Sequence, residues 1–96
     1  MNYLGAGFLE AVYKNALIVS LQARGVNVKQ EVVFEIHFKG RKIGHYKADV
    51  LVDDRVIVEL KCCKCLLSEH KAQLINYLKA SRLSTGLLIN FGQHQL

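Results

Sequence analysis

Ala48-Asp49-Val50-Leu51-Val52, then Asp53-Asp54-Arg55, then Val56-Ile57-Val58-Glu59-Leu60-Lys61 is the stretch on which the fold turns. Two apolar runs flank a polar turn, which reads as two antiparallel strands over 43–52 and 56–61. The loop length sets the register. A three-residue loop at 53–55 pairs Val52 with Val56, Val50 with Val58 and Asp49 with Glu59. A two-residue loop would put the two acids on opposite faces, because a one-residue slip carries every side chain across the sheet. The three-residue register also opposes apolar residues to apolar ones at the other pairs, so it is the one expected. Glu59 and Lys61 are two apart in a strand and share a face.

The rest of the chain is placed outward from this pair. Residues 7–24 carry Phe8, Leu9, Val12, Ala16, Val19 and Ala23 at steps of three and four, with Glu10, Lys14, Asn15, Gln22 and Arg24 around them. This predicts a helix with that stripe as its apolar face, stopped at Gly25. Residues 28–38 alternate, with Val32, Phe34, Ile36 and Phe38 on one face and Val33, Glu35, His37 and Lys39 on the other. That is a half-buried strand, ending in a polar turn at 39–42. A second helix is expected over 68–82, with Leu74, Ile75 and Leu78 inward and Lys71, Tyr77 and Ala80 along its flanks. Ser68 followed by Glu69 reads as its N-cap. Residues 84–91 read as a short buried strand. The order helix, three strands, helix, strand gives an antiparallel meander, then a strand that returns through a helical crossover to lie parallel to the third. The expected fold is α/β with a mixed sheet.

Composition narrows the class. Ninety-six residues make one domain, 51% hydrophobic and 22% charged, a globular balance. Thirteen Lys and Arg against eight Asp and Glu leave +5, which points toward a polyanionic partner. The longest apolar run, Ala16 to Val19, is far short of the roughly 20 residues that span a bilayer, so no membrane partner is expected. No basic-then-apolar segment opens the chain, and the cytoplasm is the expected compartment. Cys62, Cys63 and Cys65 are an odd number within four positions, which makes no disulfide framework and agrees with a reducing compartment.

Two carboxylates directly opposite in a sheet have Cβ atoms about 5 Å apart and repel unless something compensates. A divalent cation would do so. Mg²⁺ takes oxygen ligands and commonly uses one or two carboxylates, leaving room for water and phosphate. Lys61 beside such a site suits the charge that develops during phosphodiester hydrolysis. The plainer alternative is that both acids are simply solvated, although they sit among Val, Ile and Leu.

The same residues resemble a known pattern. Asp49, nine residues and then Glu59-Leu60-Lys61 resemble the core motif of the PD-(D/E)XK nuclease superfamily. Gly7-Phe8-Leu9-Glu10-Ala11-Val12-Tyr13 matches the Gly-x-x-Glu-x-x-Tyr signature of its GxxExxY family of small bacterial proteins. Leu4-Gly5, Ala72-Gln73-Leu74, Tyr77-Leu78-Lys79-Ala80 and Gly86-Leu87-Leu88-Ile89-Asn90-Phe91 resemble further words of that family, in order along the chain. The resemblance implies a restriction-endonuclease-like core flanked by two helices. It implies Glu10, Asp49 and Glu59 as ligands of Mg²⁺ or Mn²⁺, Lys61 as the catalytic lysine, and Gln73 and Tyr77 orienting substrate or water from one face of the second helix. Ala6 stands where relatives usually have Pro. Relatives also carry more residues before Leu4 and after Phe91, so the single domain is expected to be shortened at both ends.

Other groups complete the reading. Cys63 and Cys65 are too close for an easy tetrahedral zinc clamp, even with His70, so free thiols are expected. His37, His45 and His94 read as ordinary surface or core histidines. Lys39, Arg41, Lys42 and Lys47 crowd one hairpin, and Lys61, Lys64, Lys71, Lys79 and Arg82 line the region from the end of the motif onward. As a group they can hold a phosphate backbone, with Lys47, Lys64 and Lys71 as the expected contacts beside Tyr77. The leading expectation is a Mg²⁺-dependent nuclease acting on nucleic acid, DNA first. The alternatives are a binding module with weak or no catalysis, and a homodimeric interaction protein.

Overall fold

The computed structural model describes residues 6–92. Helix α1 (Ala6–Ala23) leads through Gly25, which takes the left-handed conformation at φ +78°, into strand β1 (Val28–Phe38). Strands β2 (Arg41–Val52) and β3 (Val56–Lys61) follow, then helix α2 (Ser68–Ser81) and strand β4 (Thr85–Asn90). The sheet runs β1-β2-β3-β4. The first two pairings are antiparallel, and β3 pairs β4 in parallel through the α2 crossover. Leu4-Gly5, the first three residues and His94 lie outside the described residues.

The expected register holds. Val52 opposes Val56 and Val50 opposes Val58. Asp53 and Asp54 hold positive φ in the three-residue loop, and Arg55 N–H closes on Val52 C=O at 3.0 Å. Short polar Asp tolerates that conformation because its side chain can bond locally. The β1–β2 turn is tighter than expected. Phe38 pairs Arg41, leaving only Lys39 and Gly40, both at positive φ as a hairpin of this length requires.

Each helix covers its own part of the sheet. Leu74, Tyr77 and Leu78 of α2 pack with Tyr46, Ala48, Leu51 and Ile57. Leu17 and Ile18 of α1 pack with Val50, Val58 and Leu60. These two clusters expose a change of face. Ala48 and Val50 are two apart and would share a face of a regular strand, yet Ala48 lies in the α2 cluster and Val50 in the α1 cluster. Val28 and Val32 divide the same way on β1, on either side of Glu31 at φ +53°. Register is kept through this level, since Gln30 still opposes Val50 and Val32 still opposes Ala48. Both strands therefore twist over together at Glu31 and Asp49.

Three local expectations are corrected. The apolar stripe chosen for the first helix is largely outside: Phe8, Val12 and Val19 are 53%, 46% and 64% exposed, while Leu9 and Ile18 are buried. The helix is apolar on two sides, so periodicity alone does not decide which side meets the sheet. Ile75 of α2 is likewise exposed, and Leu74 is the buried anchor. Ser68 is the first helical residue and not the cap. Leu67 holds the cap position, and its N–H is satisfied by His70 Nδ1 at 3.0 Å, half of a capping box built with an imidazole.

Candidate active site

The β2–β3 ladder ends at Val50 and Val58, one residue short of Asp49 and Glu59. There the side chains take over the backbone bonding. Asp49 N–H donates to Glu59 Oε2 at 3.0 Å, and Leu60 N–H donates to Asp49 Oδ2 at 3.2 Å. The two strands are thus clasped by the carboxylates that the sequence placed opposite each other. Each carboxylate keeps one oxygen, Asp49 Oδ1 and Glu59 Oε1, with no hydrogen-bond partner among the described residues.

The electrostatics follow from this crowding. Burial pushes the Glu59 carboxyl up to about 7, with the Asp49 and Glu10 charges adding to the rise. The Asp49 N–H bond and the Lys61 ammonium oppose it. Lys61 and Glu10 are therefore both within electrostatic reach of Glu59. Glu10 reaches the site from α1, across a depression of about 150 Å³ lined by Gly7, Glu10, Ala11, Lys14, Asp49 and Leu60. Lys14 stands one helical turn from Glu10 on this wall, a spacing visible in the sequence but not read as a site feature. Among the described residues no three His, Cys, Asp or Glu side chains are close enough together to hold a metal ion as they stand. Glu10 is thus a neighbour of the Asp49–Glu59 pair and does not close a ligand cluster with it.

From the other side of the sheet, Tyr77 stacks on Tyr46 with centroids 3.7 Å apart, and Tyr46 also stacks on Phe34 at 5.6 Å. Burial, then the Glu59 and Asp49 charges, raise the Tyr77 phenol. The Tyr46 phenol is raised by burial first, then by Glu59, Tyr77 and Asp49. Tyr77 is therefore within electrostatic reach of the carboxylates. Gln73, one turn earlier, is exposed and makes no contact with them among the described residues. Lys64 and Lys71 are exposed, and Lys47 pairs with Glu31 at 3.8 Å.

Two further residues escaped the sequence reading. Tyr46 is buried in the α2 cluster, where the Glu59 and Asp49 charges act on its phenol. Asn90 grips the segment that follows Lys61: Cys63 N–H donates to Asn90 Oδ1 at 3.0 Å, and Asn90 Nδ2 donates to Cys63 C=O at 2.9 Å. An amide in an otherwise apolar strand was the available signal for Asn90. The cysteines are free: Cys62 is buried, with its thiol pushed up by burial, Glu10 and Cys63, and the Cys63 thiol donates to Cys65 C=O at 3.2 Å.

No helix among the described residues is long and apolar enough to cross a membrane. A family model described as the PD-(D/E)XK nuclease superfamily covers residues 1–96. No curated protein and no solved structure matches. A mixed sheet flanked by two helices is the restriction-endonuclease-like arrangement, and a nuclease family implies a nucleic acid as partner. With the family model spanning the whole sequence, the chain belongs to the PD-(D/E)XK nuclease superfamily.

Proposed function

We propose that the protein is a divalent-metal-dependent nuclease that hydrolyses phosphodiester bonds, with DNA as its substrate. The carrying observation is the Asp49–Glu59 clasp, with Lys61 within reach of it. The donor set fits a hard cation. Two carboxylate oxygens have no hydrogen-bond partner among the described residues, all the donors are oxygen, and the Glu59 carboxyl is raised by burial first and then by the Asp49 and Glu10 charges. Asp49 and Glu59 would hold Mg²⁺ or Mn²⁺, with Glu10 joining from α1. Such an ion, when bound, supplies Lewis acidity at a phosphoryl oxygen and lowers the pKa of water.

The chain's own residues do the rest. The backbone bonds from Asp49 and Leu60 fix one oxygen of each carboxylate and leave the other for a cation. Lys61 places its ammonium against the charge that develops on the phosphate. Tyr77 offers a ring and a phenol at the rim. The exposed Lys64 and Lys71 contact the phosphate backbone, and Lys47 joins them on release from Glu31. Gln73 reaches substrate only if it approaches along α2. The motif words support membership of the GxxExxY group, with a bacterial, cytoplasmic setting. A second reading, homodimerisation, is favoured by the uncharged outer side of α1, where Phe8, Val12 and Val19 are exposed.

The test is direct. Purified protein with Mg²⁺ or Mn²⁺ is offered linear and circular duplex DNA, single-stranded DNA and RNA. Cleavage that EDTA stops and Asp49→Asn abolishes is expected. Binding that survives EDTA, with no cleavage of any substrate, would instead identify a binding module. Light scattering that gives a monomeric mass removes the dimer reading.

A further inference from the structure

Tyr46 has the only buried side-chain polar atom without a hydrogen-bond partner among the described residues. The residue is 6% exposed. A buried hydroxyl without a partner is disfavoured by roughly 1–3 kcal/mol, and native chains rarely keep one that serves nothing. The ring is not free to turn away. It lies between Phe34 and Tyr77, nearly parallel to both, with interplanar angles of 17° and 8°. The phenol sits where the Glu59 and Asp49 charges act on it. Near neutral pH a phenol carries its proton and can donate. Glu59 has an acceptor oxygen, Oε1, that no described residue engages. Glu59 alternates along β3 with Val58 and Leu60 of the α1 cluster, so it lies with Ile57 on the α2 face, the face that carries Tyr46. A fixed donor without an acceptor thus shares a face of the sheet with a carboxylate that has an unused one.

We propose that Tyr46 is a positioning residue for Glu59, its phenol O–H donating to the second carboxylate oxygen when the site takes up a divalent cation. The inference rests on the reading of Asp49 and Glu59 as cation ligands. Burial keeps Tyr46 away from substrate, so its action runs through Glu59 alone. The ring stack supplies the rigidity, and the hydroxyl supplies the direction. Partners of metal ligands act in this way, and their loss typically weakens metal affinity or activity about 10–100-fold.

Tyr46→Phe tests this cleanly, because it keeps the stack and removes only an unpaired oxygen. Mn²⁺ affinity is measured by calorimetry on the wild type and the variant, alongside thermal denaturation without metal. The expected result is a Kd about tenfold weaker in Tyr46→Phe with Tm unchanged or raised. In the cleavage assay kcat falls while KM for DNA stays within twofold. A Mn²⁺ affinity within twofold of wild type overturns the inference and leaves the metal-site reading standing. A Tm lowered by several degrees also overturns it, since the hydroxyl would then be structural. Wild type that binds Mn²⁺ but cleaves nothing removes the nuclease reading, while the affinity ratio still decides the role of Tyr46. Wild type that binds no Mn²⁺ at millimolar concentration removes both.

Discussion

Asp49 and Glu59 bond across the strand pair through side chain and backbone: Asp49 N–H reaches Glu59 Oε2 at 3.0 Å, while Asp49 Oδ2 takes Leu60 N–H at 3.2 Å. Regular ladder bonding stops at this level, and the carboxylates stand in for the missing carbonyl acceptors. One arrangement therefore closes the sheet and presents two acids together. The stabilising and the chemical roles of these residues can be separated by isosteric amides.

Glu59→Gln keeps an oxygen able to accept the Asp49 N–H and removes the charge. Cleavage should fall by more than about 100-fold, beyond what loss of a mere neighbour of the site gives. Folding should survive. At pH 8 the variant should melt at or above the wild-type temperature, because a like-charge contact with Asp49 is gone. Cleavage assays and thermal denaturation on the same samples check both halves. Full activity in Glu59→Gln would remove Glu59 from the chemistry.

The Glu59 carboxyl also predicts a pH dependence with a definite sign. It is raised from an ordinary 4.5 to about 7 in the folded chain. Between those values the folded state holds a proton that the unfolded state has released. Its contribution to stability is therefore complete below about pH 4.5 and is lost as pH rises through about 7. Tm should fall across that window without metal, and the fall should be absent in Glu59→Gln. Mn²⁺ competes with the same proton, so its affinity should rise as pH passes 7. Calorimetry from pH 5.5 to 8 would reveal a flat affinity if Glu59 were not a ligand.

The register and the acid pair were legible because a three-residue loop and period-two alternation leave few alternatives. Other features depended on choices that no local pattern makes. Helix α1 carries apolar residues on two sides, and tertiary packing selected Leu9 and Ile18 over Val12 and Val19. The face change at Asp49 breaks the alternation on which strand reading relies, and Glu31 gives no sign in sequence that it takes positive φ. Tyr46 looked like one more strand aromatic. Its stack with Tyr77, 31 positions later in the chain, is a tertiary contact that no local pattern shows.

Gly86 tests the packing of the crossover. A Cβ there would meet the Leu74 side chain at 3.0–3.1 Å. Leu74 is the buried anchor of α2, and Gly86 lies in β4 opposite Ile57, which is fully buried. Gly86→Val should therefore destabilise by about 1–3 kcal/mol through overpacking. Gly86→Ala should cost less, because the obstacle is a side chain that can shift. Urea denaturation of both variants checks the order. Equal stability would mean that α2 rides loosely on the sheet.

Asn90 links stability to the position of Lys61. It pairs with Lys61 across the parallel β3–β4 ladder, and its side chain binds Cys63 N–H and C=O while also accepting Gly92 N–H at 3.0 Å. The chain leaving Lys61 is thereby held at its first turn. Asn90→Ala removes all three bonds, and part-buried backbone groups are left to find water. A loss of roughly 1–3 kcal/mol is expected. Asn90→Asp keeps the oxygen acceptor and loses the donor to Cys63 C=O, so it should fall between the two. If the clamp acts through Lys61, kcat should drop in the same order at temperatures where each variant is fully folded, with KM little changed. Activity that tracks only the folded fraction would assign Asn90 to stability alone.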